Sequence, residues 1–310
     1  MTTTDVRPAA VATESRRTER SWSRDRFENR FFGIARWGVI VGLLIATIFP
    51  FYYMVLLSMR GLGDVLNNPG SLWLELGQVS LNAYTRVLAP VASGGEGFLG
   101  FMRNSAVLAV GTVVLTLAVS VPGSYAVSRL RFFGRRQVSA LFLAVYLFPS
   151  ILLAVPLYVF FTRVGMRGSL IAVILVYVSQ TVAVSIYMLR NYLDTIPVSL
   201  EEAAALDGCS RLGIMRRISL PLAMPAIIAN GLFVFMVAWN EFLFALLFLV
   251  DDRDRWTVSL GLSQLTGNSI EIPTTVLMAA AVITTIPIVV IFFASERLLT
   301  EGLTSGAEKG

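Results

Sequence analysis

Residues 196–225 read IPVSLEEAAALDGCSRLGIMRRISLPLAMP, a polar interruption between two long apolar stretches. A water-facing segment flanked in this way is held against a membrane, which makes the chain an integral membrane protein. Its punctuation is explicit. Pro197 stops the preceding helix, Ser199 stands where it can cap the next, and Glu202 follows where a capping box places a carboxylate. The spacing predicts a short helix from Ser199 to about Leu206, closed by Asp207-Gly208 because glycine tolerates the left-handed conformation. Ser210 can cap a second helix, which Pro221 and Pro225 interrupt or feed into the membrane. The product is a helix-turn-helix bracket whose first arm carries Ala203, Ala204 and Ala205, small enough for another surface to come close.

Around this bracket the composition is that of a membrane protein, with 55% apolar residues and a mean hydropathy of +0.72. The apolar residues gather into six spans at 38–58, 107–127, 138–161, 170–189, 223–250 and 274–294. Each has the roughly 20 residues, at about 1.5 Å per residue, that a bilayer core of about 30 Å requires. The expected fold is therefore all-α, with six transmembrane helices in a domain over residues 37–297. Pro50, Pro122, Pro149, Pro156 and Pro287 fall inside these spans, where neighbouring helices can satisfy the freed carbonyls. The fifth span exceeds the need, so it is expected to tilt or to begin outside the lipid.

Arginine placement sets the orientation. With the N-terminus in the cytoplasm, the inner segments hold 18 basic residues and the outer connections seven, the distribution that cytoplasmic loops favour. Both termini and the bracket are then cytoplasmic. The net charge of +5 marks the inner membrane edge and calls for no nucleic acid. Residues 1–36 carry eight arginines without an apolar stretch or a small-residue cleavage site. They are read as a disordered tail rather than a secretory signal, and residues 298–310 as a short second tail.

Absences exclude chemistry. With no histidine, the chain has no His-based triad, imidazole zinc site or imidazole proton relay. Its only lysine is Lys309, so it has no Walker A loop, and any nucleotide energy must come through another chain. Cys209 is the single cysteine, and no disulfide can form within the chain.

Polar residues inside the spans are sparse, and Gln180, Asn230, Asn240 and Glu241 are the notable ones. Counting back from Val250 puts Glu241 roughly 14 Å inside, near the bilayer midplane. A carboxylate there lines or gates a path for a polar solute, or it bonds neighbouring helices, and the sequence leaves both roles open. In the last outer connection, residues 251–273, charges flank Trp256 and an amide-rich stretch runs from Gln264 to Asn268. Such a loop can reach a polar partner or substrate, or serve solubility alone.

Glu202-Ala203-Ala204, then three residues to Gly208, then nine to Ile218 and Leu220-Pro221, resembles the cytoplasmic signature of permease subunits of binding-protein-dependent ABC importers. Four further stretches, Phe101 to Ser105 (FMRNS), Tyr125 to Gly134 (YAVSRLRFFG), Val155 to Tyr158 (VPLY) and Trp239 to Leu243 (WNEFL), are similar to the carbohydrate-uptake, MalG-like subfamily. The resemblance covers about residues 45–300 and implies the type I ABC importer permease fold. It implies that this chain is not an enzyme and binds no cofactor itself, with ATP and magnesium on two partner ATPase subunits. A second, similar permease and an extracytoplasmic sugar-binding protein, often a lipoprotein, complete the assembly in the lipid membrane. Glu201, Glu202, Ala203, Ala204, Asp207 and Gly208 would form the element that docks on the ATPase. Trp239, Asn240, Glu241 and Asn230 would be candidates for the translocation path, and Trp256, Gln264 and Asn268 for binding-protein contact. The expected cargo is a sugar, with disaccharides such as trehalose or maltose in view. An ion- or proton-coupled secondary transporter titrating Glu241 is the alternative, and a membrane-embedded enzyme would need clustered catalytic residues that this sequence does not gather.

Overall fold

A computed structural model describes residues 11–74, 76–267 and 272–307. The chain divides into two units, one ending at Leu56 and the other beginning at Leu57. The first is built on helix α1 (Val11–Ser58), within which Ala35–Ser58 is long and apolar enough to cross a membrane. Most of the segment expected to be an unstructured tail is thus helical from Val11 onward. No Gly or Pro occurs between Val11 and Phe32, and the many Arg and Glu residues there favour a helix without needing a core.

In the second unit, α2 (Leu62–Asn67) and α3 (Asn82–Leu88) turn the first long connection into a structured lip. Arg60 holds it: its buried guanidinium donates to Asp64 Oδ2 at 2.5 Å and to the carbonyls of Asn68 and Ser71 at 3.0 and 3.3 Å. The remaining helices are α4 (Phe98–Arg129), α5 (Arg135–Leu147), α6 (Ala154–Arg163), α7 (Leu170–Leu193), α8 (Val198–Leu206), α9 (Arg211–Ile214), α10 (Leu220–Asn240), α11 (Leu243–Leu249), α12 (Val258–Gly267) and α13 (Thr274–Ala307).

Among the described residues, four helices are long and apolar enough to cross a membrane, and the count reaches the expected six when each of two bent pairs serves as one span. The third span, read from sequence as one helix over 138–161, breaks between α5 and α6 with a bend of 87°. Pro149 offers no amide hydrogen, and Phe148 before it is extended with ψ 128°. Pro122 and Pro287, by contrast, lie inside unbroken helices. The fifth span breaks twice. The helical run Arg211–Leu222 meets Met224–Asn240 at 73°, between Pro221 and Pro225, and α10 ends at Asn240.

Packing centres on α4 and α7, with α10 against both and α13 against α10. Along α4, Leu108, Thr112, Thr116, Ser120 and Ser124 recur every fourth residue and are buried, and Val173, Tyr177, Thr181, Ser185 and Leu189 do the same on α7. Small and hydroxylated residues at this spacing let two backbones approach within a bilayer, where apolar burial alone gives no preference for protein over lipid. Thr116 and Thr181 join hydroxyl to hydroxyl at 2.8 Å across the seam. At Gly261 two elements fit closely, since a Cβ there would lie 2.4 Å from the buried Phe101 ring.

Candidate functional site

The bracket forms nearly as its sequence reads. Its first arm, α8, starts one residue earlier than expected, with Pro197 rather than Ser199 at the cap and no side-chain cap bond, so the capping box does not form. Proline sets the backbone for a helix start by itself, and that leaves Ser199 and Glu202 in the first turns. The exit follows the expectation: Gly208 has φ +82°, and the amides of Gly208 and Cys209 donate to Ala205 O at 3.1 Å and Ala204 O at 3.0 Å. Ser210 caps the second arm through Gly213 N at 3.2 Å. A π-turn, Met215–Ser219, then leads into α10.

One face of α8 is fixed and the other is open. Glu201 and Ala204 are buried, while Glu202, Ala203, Ala205, Asp207 and Gly208 are exposed and Leu206 presents 90% of its surface. Adjacent residues on a helix point about 100° apart, so the two neighbouring glutamates face opposite surroundings. Glu201 Oε1 accepts from Arg129 Nε at 2.9 Å and from Ser219 Oγ at 2.8 Å, and Oε2 accepts from Tyr125 at 3.4 Å. Arg129 also donates to the carbonyls of Leu193 and Ile196 at 2.7 and 2.8 Å. Beside it, Ser128 Oγ donates to Asp194 Oδ1 at 2.5 Å. Glu201 therefore anchors the bracket, and Ala204 is buried on the same side, while the candidates Glu202, Ala203, Asp207 and Gly208 are presented. Sequence reasoning missed the Glu201 partners Arg129, Tyr125 and Ser219. The available signal was an arginine in the last turn of an otherwise apolar span.

The candidate path residues separate. Glu241 lies outside any helix, at the break between α10 and α11, with extended backbone at ψ 131°. Its carboxylate accepts from Tyr177 at 2.6 Å, from Phe244 N at 2.9 Å and from Ala245 N at 3.2 Å. It caps α11 and ties it to α7. The sequence-based placement of Glu241 within one continuous helix is corrected. Asn230 is buried, with its amide nitrogen 3.7 Å from Met188 Sδ. Asn240 is exposed, and its amide donates to Met236 O at 2.8 Å. Trp239 is buried, stacks on Phe235 at 5.4 Å and donates to Thr284 O at 3.3 Å. Trp239 and Asn240, with Phe242, Ser259, Ser263 and Thr284, line a cleft of about 560 Å³ beside the break.

Trp256 is held rather than free. Its indole donates to Val250 O at 3.1 Å, and its ring lies 5.6 Å from Phe101 and under the Arg253 guanidinium at 5.4 Å. The Asn104 amide donates to the carbonyls of Asp254 and Trp256 at 2.7 and 3.0 Å. Gln264 is half-buried on α12, and Asn268 lies outside the described residues.

An all-helical, multi-pass membrane chain with a capped bracket between two spans, and with a midspan helix break beside a cleft, has the organisation of a permease. Residues 120–305 match the family of binding-protein-dependent transport system inner membrane components, and the chain belongs to that family. It is 38% identical over 280 residues to the inner membrane ABC transporter permease protein YcjP of Escherichia coli, covering 89% of this chain and 98% of that one. It is 36% identical to the trehalose/maltose transport system permease protein MalG of Thermococcus litoralis, over 88% of this chain and 96% of the relative. In fold it matches a chain of a bacterial ABC transporter involved in the import of the acidic polysaccharide alginate. That match has a TM-score of 0.73 and 24% identity, and it covers 87% of this chain and 97% of the other. The chain is a transport subunit and not an enzyme.

Proposed function

We propose that this permease takes up a sugar, with a disaccharide such as trehalose or maltose as the first candidate, in an importer driven by two separate ATPase subunits. The observation that carries the reading is the open face of α8. Glu202, Ala203, Leu206 and Gly208 stand exposed on a short helix whose other face is bonded to the end of α4 and the start of α10, and through Arg129 to the end of α7. A stiff arm with a small-residue face suits docking into a cleft of a moving partner, because force passes through an element that does not bend. ATP and magnesium bind the ATPase chains, and closure of those chains displaces α8 and so the spans attached to it. The bracket and both termini face the cytoplasm. A second, similar permease completes the path, in which the cleft at Trp239 and Asn240 offers an aromatic, amide and hydroxyl lining suited to an uncharged polyhydroxylated solute. An extracytoplasmic binding protein delivers cargo to the side carrying Trp256 and Gln264.

The sugar is supported by the likeness to the trehalose/maltose transport permease together with the uncharged aromatic, amide and hydroxyl groups that line the cleft. The test is the ATPase rate of the whole assembly in lipid, with binding protein present, against a panel of sugars. Stimulation by a disaccharide and by no amino acid or inorganic ion is the expected result. Stimulation by a non-sugar alone overturns the cargo assignment.

A further inference from the structure

Two side chains gather an unusual number of elements. Arg129 ends α4, the carbonyls it reaches close α7, Glu201 belongs to α8, and Ser219 ends the π-turn from which α10 begins. The ion pair is largely removed from water, with side-chain exposures of 7% for Arg129 and 10% for Glu201. Separating such a pair leaves an uncompensated charge in a poorly solvated place, which costs far more than its formation gains. The elements that meet there are held to move together. Glu202, one residue on, shares none of these bonds and faces out.

We propose that the Arg129–Glu201 pair is the joint through which displacement of α8 reaches α4, α7 and α10, with Glu201 acting as a positioning residue rather than as a contact for the ATPase. This rests on the function proposed above. The π-turn contributes directly. A π-turn inserts a residue into the helical repeat, and here it ends on Ser219, whose hydroxyl lies 2.8 Å from Glu201. From Ser219 the chain turns through 73° and runs along α10 to Asn240 at the cleft. Docking face, joint and cleft are therefore joined by bonded elements, and Arg129 serves as a planar fork, its Nε meeting the carboxylate while its Nη2 meets both carbonyls, a spread that a single ammonium nitrogen does not reproduce.

The test uses the complete transporter in liposomes, with binding protein and ATPase subunits, and reads sugar moved per ATP hydrolysed. That ratio does not change when a variant merely lowers the amount of complex. The double variant Arg129→Gln, Glu201→Gln removes both charges together, so neither is left buried alone. It is expected to co-purify with the ATPase subunits and to lose roughly tenfold in the ratio, the scale of one coupling contact. Arg129→Lys, which keeps the charge and loses the fork, is expected to fall with it. Should the double variant not assemble, Ser219→Ala decides, because it cuts only the bond from α8 to α10, and a lower ratio there supports the joint. A wild-type ratio in whichever variant assembles overturns the proposal. If the wild-type complex itself shows no ATP-dependent uptake, it is the proposed function that fails and not the joint.

Discussion

Glu201 and Glu202 share a residue type and a helix, yet one is a buried anchor and the other an exposed candidate for docking. Their substitutions should separate accordingly. Glu201→Ala alone strands Arg129 and should cost about 3–5 kcal/mol, seen as loss of folded protein in detergent. Glu202→Ala should leave the amount in the membrane unchanged on an immunoblot while uptake falls to background. Normal uptake by Glu202→Ala would contradict a docking role. Gly208 is needed for its backbone: at φ +82° a side chain adds roughly 1–2 kcal/mol of strain, so Gly208→Ala should weaken uptake while leaving the side chains of Glu202 and Ala203 as they are. Glu241 makes a third case. As a cap bonded to Tyr177, it should tolerate Gln better than Ala, and Glu241→Ala should lower thermal stability by about 1 kcal/mol or more, measured by unfolding in detergent. If Glu241 instead titrates with a transported ion, Glu241→Gln would abolish uptake with stability intact.

At the scale of elements, what the sequence discloses depends on how local the physics is. Caps and terminators are local, so Gly208 and Ser210 could be read directly, and six apolar spans were legible from length. The missing capping box at Ser199 shows the limit of even that logic, because Pro197 starts the helix first. Proline inside a span is less readable. Pro122 and Pro149 obey the same backbone rules, but α4 stays whole against the α7 seam while α5 and α6 part at 87°. The break at Glu241 was hidden for a related reason: a charged residue amid apolar ones gives composition, and only the meeting of Tyr177 with the α11 amides turns it into a cap. Arg129 and Glu201 are 72 residues apart, a pairing no periodicity reports. Packing between elements can be tested at Gly261, where α12 lies on Phe101. Gly261→Val should cost about 1–3 kcal/mol by overpacking, because the Phe101 ring is buried and has little room to yield. An unchanged melting temperature would contradict that close approach.

For the whole molecule, the account reduces to transmission from a separate motor through α8 into the spans. An energy source elsewhere would be exposed by a protonophore: with ATP held constant, uptake should persist, and its collapse would favour an ion-coupled transporter. The most direct measurement is a cross-link from the open face of α8. Cys209 is the only cysteine, so Cys209→Ser gives a clean background in which Ala203→Cys places a single thiol on that face. In the assembled transporter the account predicts a cross-link from position 203 to an ATPase chain, with a yield that changes when ATP is bound. A cross-linked partner that is never a nucleotide hydrolase would contradict it.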